Sequence, residues 1–550
     1  MTRWFIYCSV VVLLAVAGGC SSGKQAVTAG QERAAAVGRD SGEAVALPAD
    51  TGQIRPYEPI SPQAYWLYVE GIIREEVGRL DSAALFYRYA WQYFPESYEI
   101  GYSLARVLYR LGEPKLTIDV ADRTFPKTAE LWELAAAAYY ELRNNDSVMI
   151  AYHHVVQLDP NNATAFNFLA GTYRLRGQLD SAAWAYSNLA RLVPENFRPL
   201  QELGRIEQQR GRPESAREAY LRSVALDSSR ANVPSMAGLG EIYGELGQPD
   251  TARYYYLKAL QADPSNELVH MLLVSHYIEQ DSLPAALTYS ERLAQLAPDN
   301  TYAKRRLGLL YLDLDSLAQA DSVFTALIES GDRTWFNYSY LGEIDLRDEQ
   351  YASAVENFTN AAERNDTIPG IWLNLGLAYR KLDRTDDAVV TYRRGLESIK
   401  DPKARSALFF ALAVAYEQSN QVDPATAAFE ALLKVDPDNA QALNYLGYML
   451  ADRSLRLDYA RDLIARAVAQ EPRNAAYLDS YGWVYYRLGD YDRAVEYLSQ
   501  AVTLGSDPII FDHLGDAYHA AGDRESARQW WQRALELQPE NEAIREKLSR

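Results

Sequence analysis

Cysteine is almost missing from this chain: its two cysteines, Cys8 and Cys20, both fall near the start of 550 residues. The long remainder can form no internal disulfide and no thiolate metal site. Histidine is scarce as well, at six, namely His153, His154, His270, His276, His513 and His519. Adjacent residues on a helix point to different faces, so His153 and His154 make a poor metal clamp, and the spacing of His513 and His519 does not place them on one helical face. No HExxH, P-loop, GxSxG or CxxC pattern occurs. No metal and no cofactor is implied, and the chain reads as a non-enzyme. Positive charge is in deficit, with 55 Lys+Arg against 74 Asp+Glu and a formal net charge of -19. Such an acidic surface repels phosphate backbones and anionic lipid heads, which argues against nucleic acid as a partner.

Long apolar runs are lacking too. Trp4 to Ala17 is apolar after a single Arg3, and it falls short of the roughly 20 residues that cross a bilayer. It closes on Val16-Ala17-Gly18-Gly19-Cys20, which reads as a signal peptide over 1–19. The small residues before Cys20 resemble the lipobox of bacterial lipoproteins, with alanine where leucine is commonest. That resemblance implies a diacylglyceryl group on Cys20 as the first residue of the mature chain. Ser21 in place of aspartate resembles the outer-membrane sorting pattern, so the expected location is the periplasmic face of an outer membrane, held by lipid alone. Residues 20–62 are rich in Gly, Ala, Ser, Gln and Pro, cannot bury enough surface to offset ordering, and are expected to be a flexible tether.

What the chain does have is a period. Alanines that open a second helix after a Gly/Asn/Asp turn stand at Ala182, Ala216, Ala252, Ala286, Ala320, Ala354 and Ala388, in steps of 34, 36, 34, 34, 34 and 34. Ala425, Ala460, Ala494 and Ala527 continue the series. Glycines run ahead of them in the first helix of each unit, among them Gly204, Gly240, Gly342, Gly376, Gly447, Gly482 and Gly515, and prolines such as Pro160, Pro298, Pro437 and Pro539 close the second helix.

These residues resemble the tetratricopeptide repeat, W-x2-L-G-x2-Y followed by A-x3-F and P. Trp372, Leu375, Gly376, Tyr379, Ala388 and Tyr392 carry the pattern in one unit, and Phe511, Leu514, Gly515, Tyr518, Ala527, Trp531 and Pro539 in another. The expected fold is all-α: a superhelical solenoid of roughly fourteen antiparallel helix hairpins over 63–540, with a capping helix over 541–550. Small residues would let paired helices approach, and a large aromatic would fill the space beside them. Asp or Ser in Leu80-Asp81-Ser82-Ala83 and Leu179-Asp180-Ser181-Ala182 is expected to cap second helices, and the segments Asp159-Pro160-Asn161-Asn162 and Asp436-Pro437-Asp438-Asn439 to stop one helix and supply caps for the next. The first three units look least regular, with Lys115-Leu116-Thr117 where the small alanine belongs, and the step that lengthens near 400–404 suggests a bend.

The repeat implies that first helices line a concave face where a polypeptide binds. The motif then places Asn444, Tyr448, Asp479, Trp483, Tyr486 and Arg487 in the groove of the later units, with Phe410, Leu373, Leu377, Phe336 and Tyr302 before them, and Arg198, Arg205 and Asn167 in the earlier ones. Aromatics in a polar concave surface are the composition of a binding hot spot. The Lys/Asn clamp that holds a terminal carboxylate in some such domains is missing at the corresponding positions. The stretches NYLGYMLADR (444–453) and LDSYGWVYYRLG (478–489) resemble large tetratricopeptide lipoproteins of outer membranes, members of which act as adaptors for a periplasmic carboxy-terminal processing protease and its cell-wall hydrolase substrates. The expected function is a lipid-anchored scaffold or adaptor for envelope proteins; the alternative is a structural assembly or secretion component of an envelope machine.

Overall fold

The computed structural model describes residues 61–549, so the signal peptide, Cys20 and the tether up to residue 60 lie outside the described residues. Among the described residues there are 29 α-helices and no strands. Clustering of contacts divides the chain into two compact units, one ending at Ala297 and one beginning at Pro298.

The first unit holds α1 (Pro62–Glu76), α2 (Leu80–Tyr93), α3 (Tyr98–Arg110), α4 (Pro114–Arg123), α5 (Ala129–Glu141), α6 (Asn145–Leu158), α7 (Ala163–Leu175), α8 (Leu179–Leu192), α9 (Phe197–Gln209), α10 (Pro213–Leu226), α11 (Val233–Glu245), α12 (Pro249–Ala262), α13 (Glu267–Glu279) and α14 (Leu283–Leu296). The second holds α15 (Thr301–Asp313), α16 (Leu317–Glu329), α17 (Trp335–Arg347), α18 (Tyr351–Arg364), α19 (Pro369–Lys381), α20 (Thr385–Ser398), α21 (Pro402–Gln418), α22 (Val422–Val435), α23 (Ala440–Asp452), α24 (Leu457–Gln470), α25 (Ala475–Leu488), α26 (Tyr491–Leu504), α27 (Pro508–Ala520), α28 (Arg524–Leu537) and α29 (Glu542–Ser549). Each odd helix up to α27 pairs with the even helix after it, giving the expected array of hairpins with a terminal helix.

Close crossing is what the small residues permit. A methyl carbon placed on Gly204 of α9 would lie 2.5 Å from the ring of Tyr220 on α10, and one on Gly342 of α17 would lie 2.9 Å from Phe358 on α18. Gly240, Gly376 and Gly515 meet Tyr256, Tyr392 and Trp531 in the same way. Two crossings differ: Gly447 meets Ile464, and Gly482 meets Leu498. Every anchor alanine from Ala182 to Ala527 is fully buried. The first units depart from this scheme as expected. Helix α4 is only 10 residues long, Thr117 is buried with its hydroxyl donating to the Glu113 carbonyl, and Gly101 faces Thr124 instead of an aromatic.

Helix starts divide into two kinds. Where a first helix follows proline, a polar side chain caps it, Ser97 and Thr128 in the first units and asparagine later: Asn162 Oδ1 and Asn439 Oδ1 each accept from the backbone N–H three residues on, at 2.9 Å. Two second helices correct the expectation, although Asn144, Asp490 and Asp523 do cap others. Helices α2 and α8 begin at Leu80 and Leu179, one residue before the aspartate, and neither carries a side-chain cap. Their preceding turns are closed by backbone alone: Gly177 takes a left-handed φ of 69° and Gln178 N–H donates to the Tyr173 carbonyl at 2.9 Å. Asp81 and Asp180 fall inside the first turn, where a negative charge complements the helix dipole without capping it.

The long step near 400 corresponds to α21, which has 17 residues where α19, α23 and α25 have 13 or 14. One hydrophobic cluster runs through this region, from Ala354 to Val484. Within each unit, successive first helices approach one another more closely than successive second helices do, as in α9 with α11 and α23 with α25. First helices therefore form the inner wall of each unit.

Candidate partner-binding wall

The wall is built from positions fixed relative to the crossing glycine. Three residues before Gly447, Gly482 and Gly515 stand Asn444, Asp479 and Asp512, and one residue after them stand Tyr448, Trp483 and Asp516. These pairs are four residues apart on α23, α25 and α27, so each pair shares a helical face. The crossing itself takes the glycine, which leaves these positions to face along the wall.

Six of the sequence-derived residues come together here. Tyr448 and Tyr486 are half-buried. Trp483 is 8% exposed and its indole lies between two rings, Tyr486 at 4.8 Å and His513 at 4.1 Å between centroids, both nearly parallel to it. The Arg487 guanidinium sits 5.7 Å from the Trp483 ring and donates through Nε to Ser454 Oγ at 3.1 Å. Asp479 is 4% exposed and its Oδ1 is 2.9 Å from His513 Nδ1. Asp479 and Trp483 are thus less open than the motif alone implies, because the next hairpin covers them with His513. Asn444 Oδ1 and Trp483 Nε1 are buried with no hydrogen-bond partner among the described residues.

Electrostatics follow from this burial. Burial by itself would lower the His513 pKa, but the charge of Asp479 and the hydrogen bond to it, reinforced by Asp512 and Asp516, raise it above the ordinary imidazole value. Burial raises the Tyr448 phenol, helped by Asp452 and Asp479. Burial likewise raises the Asp516 carboxyl, against the pull of Lys547.

The remaining sequence-derived residues lie elsewhere. Phe410 packs edge-on against Phe429 and Tyr445 at 5.5 and 5.7 Å, which is core packing between α21, α22 and α23. Phe336 stacks edge-on to Tyr340 at 4.5 Å beneath the Arg305 guanidinium. Leu373 and Leu377 are half-buried on α19, while Tyr302 on α15 is 59% exposed. In the other unit, Arg198 and Asn167 are exposed, and Arg205 pairs with Glu202 at 2.8 Å.

Sequence reasoning missed His513, Asp512, Asp516 and Lys547. Lys547 Nζ on α29 donates to Asp512 Oδ1 at 2.7 Å and to Asp516 Oδ2 at 2.8 Å. A signal for the two aspartates was present, since they occupy the same glycine-relative positions as Asp479 and Trp483. Among the described residues no group of three or more metal-ligating side chains occurs, and no helix is long and apolar enough to cross a membrane.

Comparison with known proteins identifies tetratricopeptide repeats at 202–267, 341–404 and 410–455, and again at 475–507 and 508–541. A TPR repeat-containing protein of Pseudomonas aeruginosa is 48% identical over 81 residues, which is 15% of this chain and 14% of that protein. Mouse anaphase-promoting complex subunit 7 is 24% identical over 193 residues, covering 35% of this chain and 34% of that one. The matched stretches thus span about a seventh and about a third of these two relatives. The type IV pilus assembly protein PilF of Pseudomonas aeruginosa is 25% identical over 181 residues, 32% of this chain and 71% of that protein. Among solved structures, a tetratricopeptide repeat protein from Parabacteroides merdae is 18% identical, covers 45% of this chain and 97% of that chain, and has a TM-score of 0.37.

Proposed function

We propose that this chain is a lipid-anchored scaffold of the cell envelope that grips other envelope proteins along its inner wall, a periplasmic carboxy-terminal processing protease and its cell-wall hydrolase substrates among them. Tetratricopeptide repeats generally mediate contacts between proteins, and the arrangement of this wall supports that use here. The observation that carries the reading is the juxtaposition of half-buried Tyr448 and Tyr486 with two buried, unpaired polar atoms, Asn444 Oδ1 and Trp483 Nε1. A buried donor or acceptor without a partner costs about 1–3 kcal/mol, a cost that a bound polypeptide group can remove. Aromatics beside such groups supply contact area at little entropic cost. A lipid on Cys20 would hold the wall near a membrane and raise its effective concentration towards other anchored or periplasmic proteins.

A second reading, a fixed structural component of an envelope assembly machine, is favoured by the similarity to a pilus assembly protein. Stoichiometry separates the two, because an adaptor exchanges partners and a machine component copurifies in constant ratio. The test is cross-linking in intact cells followed by mass spectrometry, with wild type compared against Tyr448→Ala/Tyr486→Ala and against Cys20→Ser. The double variant is expected to lose its cross-links while keeping its helicity, and Cys20→Ser to leave the membrane fraction. Cross-links unchanged in the double variant would remove the wall from the account, and a Cys20→Ser protein still in the membrane fraction would remove the anchor.

A further inference from the structure

At the last hairpin the wall changes character. Where α25 carries Asp479 and Trp483, α27 carries two carboxylates, Asp512 and Asp516, one turn apart. A single ammonium takes both: Lys547 of α29 reaches them at 2.7 and 2.8 Å, and its Nζ lies 5.9 Å from the Trp531 ring, whose Nε1 donates to Asp516 Oδ1 at 3.1 Å. Paired carboxylates beside an aromatic face are the chemistry that recognises a lysine or arginine side chain. Trp483, more than nine-tenths buried, keeps an unpartnered Nε1 on the adjoining helix, and its ring stacks on His513 between the two aspartates in sequence. So the site combines acidic groups filled by Lys547 with an indole N–H that finds no acceptor among the described residues, one that a backbone carbonyl of a bound segment would satisfy.

The occupant is weakly held by construction. Helix α29 has eight residues, below the length of roughly 12–15 at which an isolated helix persists in water. Ile544 is its one buried side chain, packed against Phe511 and Trp531, with Leu548 partly buried beside it. Burial disfavours the charge on Lys547, but the hydrogen bonds to Asp512 and Asp516 outweigh this and raise its pKa. The ammonium therefore stays charged, as a competing lysine would be.

We propose that this end of the wall binds a basic segment of a partner polypeptide, and that α29, through Lys547, is an intramolecular occupant that such a segment displaces. The proposal rests on the wall being the partner-binding surface and adds the charge of what binds there. It is tested on the full chain by fluorescence anisotropy with a labelled Lys/Ala peptide and its Glu/Ala counterpart, and by hydrogen exchange of residues 542–549. The Lys peptide should bind Lys547→Gln at least about tenfold more tightly than wild type, since a competing occupant is removed. Adding Asp512→Asn and Asp516→Asn to that variant should abolish binding, and the Glu peptide should bind none of these proteins. In wild type, saturating Lys peptide should speed amide exchange in 542–549, a readout that needs no variant to fold. Equal affinity of wild type and Lys547→Gln, binding that survives loss of both carboxylates, or unchanged exchange in 542–549 would each overturn the proposal. A cellular partner that depends on Tyr448 and Tyr486 yet ignores Asp512→Asn/Asp516→Asn would sink this inference and leave the scaffold reading standing.

Discussion

At the scale of single residues, the fold depends on which side chains are small enough to be crossed. Gly342→Ala would push a methyl group into the fully buried Phe358 ring, 2.9 Å away. The expected loss is about 1–3 kcal/mol, the usual cost of overpacking a well-filled core. Gly171→Ala is the control, because nothing lies within 4 Å of the added carbon on that helical residue. There alanine's better helix propensity should add up to about 1 kcal/mol. Urea denaturation of both variants checks the pair; equal effects would mean that crossing distance is not what selects glycine. These anchors were legible in the sequence, since they recur at one period, most of them with the aromatic that fills the crossing. Burial of Asp479 and Trp483 was not. Periodicity assigns a residue to a face of its own helix, while the group that covers these two, His513, comes from a helix 34 residues further on. His513 was judged only beside His519 on its own helix, where the pair has no common face.

At the scale of helices, the Asp479–His513 contact ties α25 to α27 across two hairpins and gives the junction a pH dependence. The His513 pKa is raised in the folded chain by Asp479, with Asp512 and Asp516 adding from α27. A raised pKa means that folding favours the protonated form. The contribution is fully present below the unfolded value near 6.5 and is lost as pH rises through the folded value. Thermal melts of wild type should therefore fall in midpoint with increasing pH above about 6.5, and His513→Gln should flatten that dependence. A wild-type midpoint that rises over the same interval would contradict the assignment. Helix starts show the same division between what sequence can and cannot tell. The segments that end in Asn162 and Asn439 were readable as sources of caps because proline fixes where the preceding helix ends. Asp81 and Asp180 were misplaced by two residues, the cap positions being Arg79 and Gln178, because a turn closed by backbone hydrogen bonds and a left-handed glycine leaves no side chain to mark the first helical residue.

Within each unit of the molecule, the described hairpins make their main contacts with their neighbours in sequence, so stability is a sum of local terms and an end hairpin has fewer of them. The α1–α2 hairpin leaves Tyr65, Trp66, Ile73 and Leu85 between 48% and 60% exposed. Helices α19 and α20 instead contribute Trp372, Leu375 and Tyr392 to the large cluster running from Ala354 to Val484. Hydrogen exchange is expected to be about tenfold or more faster in α1–α2 than in α19–α20, a difference of about 1.4 kcal/mol in opening free energy. Uniform protection along the chain would show that the array opens as one cooperative body. The array itself was legible because a period of 34 summed over many units outweighs the irregularity of any one. The acidic end of the wall was harder to see, because it exists only once the terminal helix folds back on α27.

The two crossings filled by Ile464 and Leu498 instead of aromatic rings belong to the hairpins that carry Asn444, Tyr448, Asp479, Trp483, Tyr486 and Arg487. In those hairpins an aliphatic side chain of the second helix does the filling that a ring of the second helix does elsewhere, while the rings of the wall stand on the first helix. Crossing and wall then occupy separate letters of the repeat, so on the proposed function Tyr448 or Tyr486 could be exchanged to change clients without recutting a crossing, whereas exchanging Asp479 or Trp483 would disturb the joint with His513.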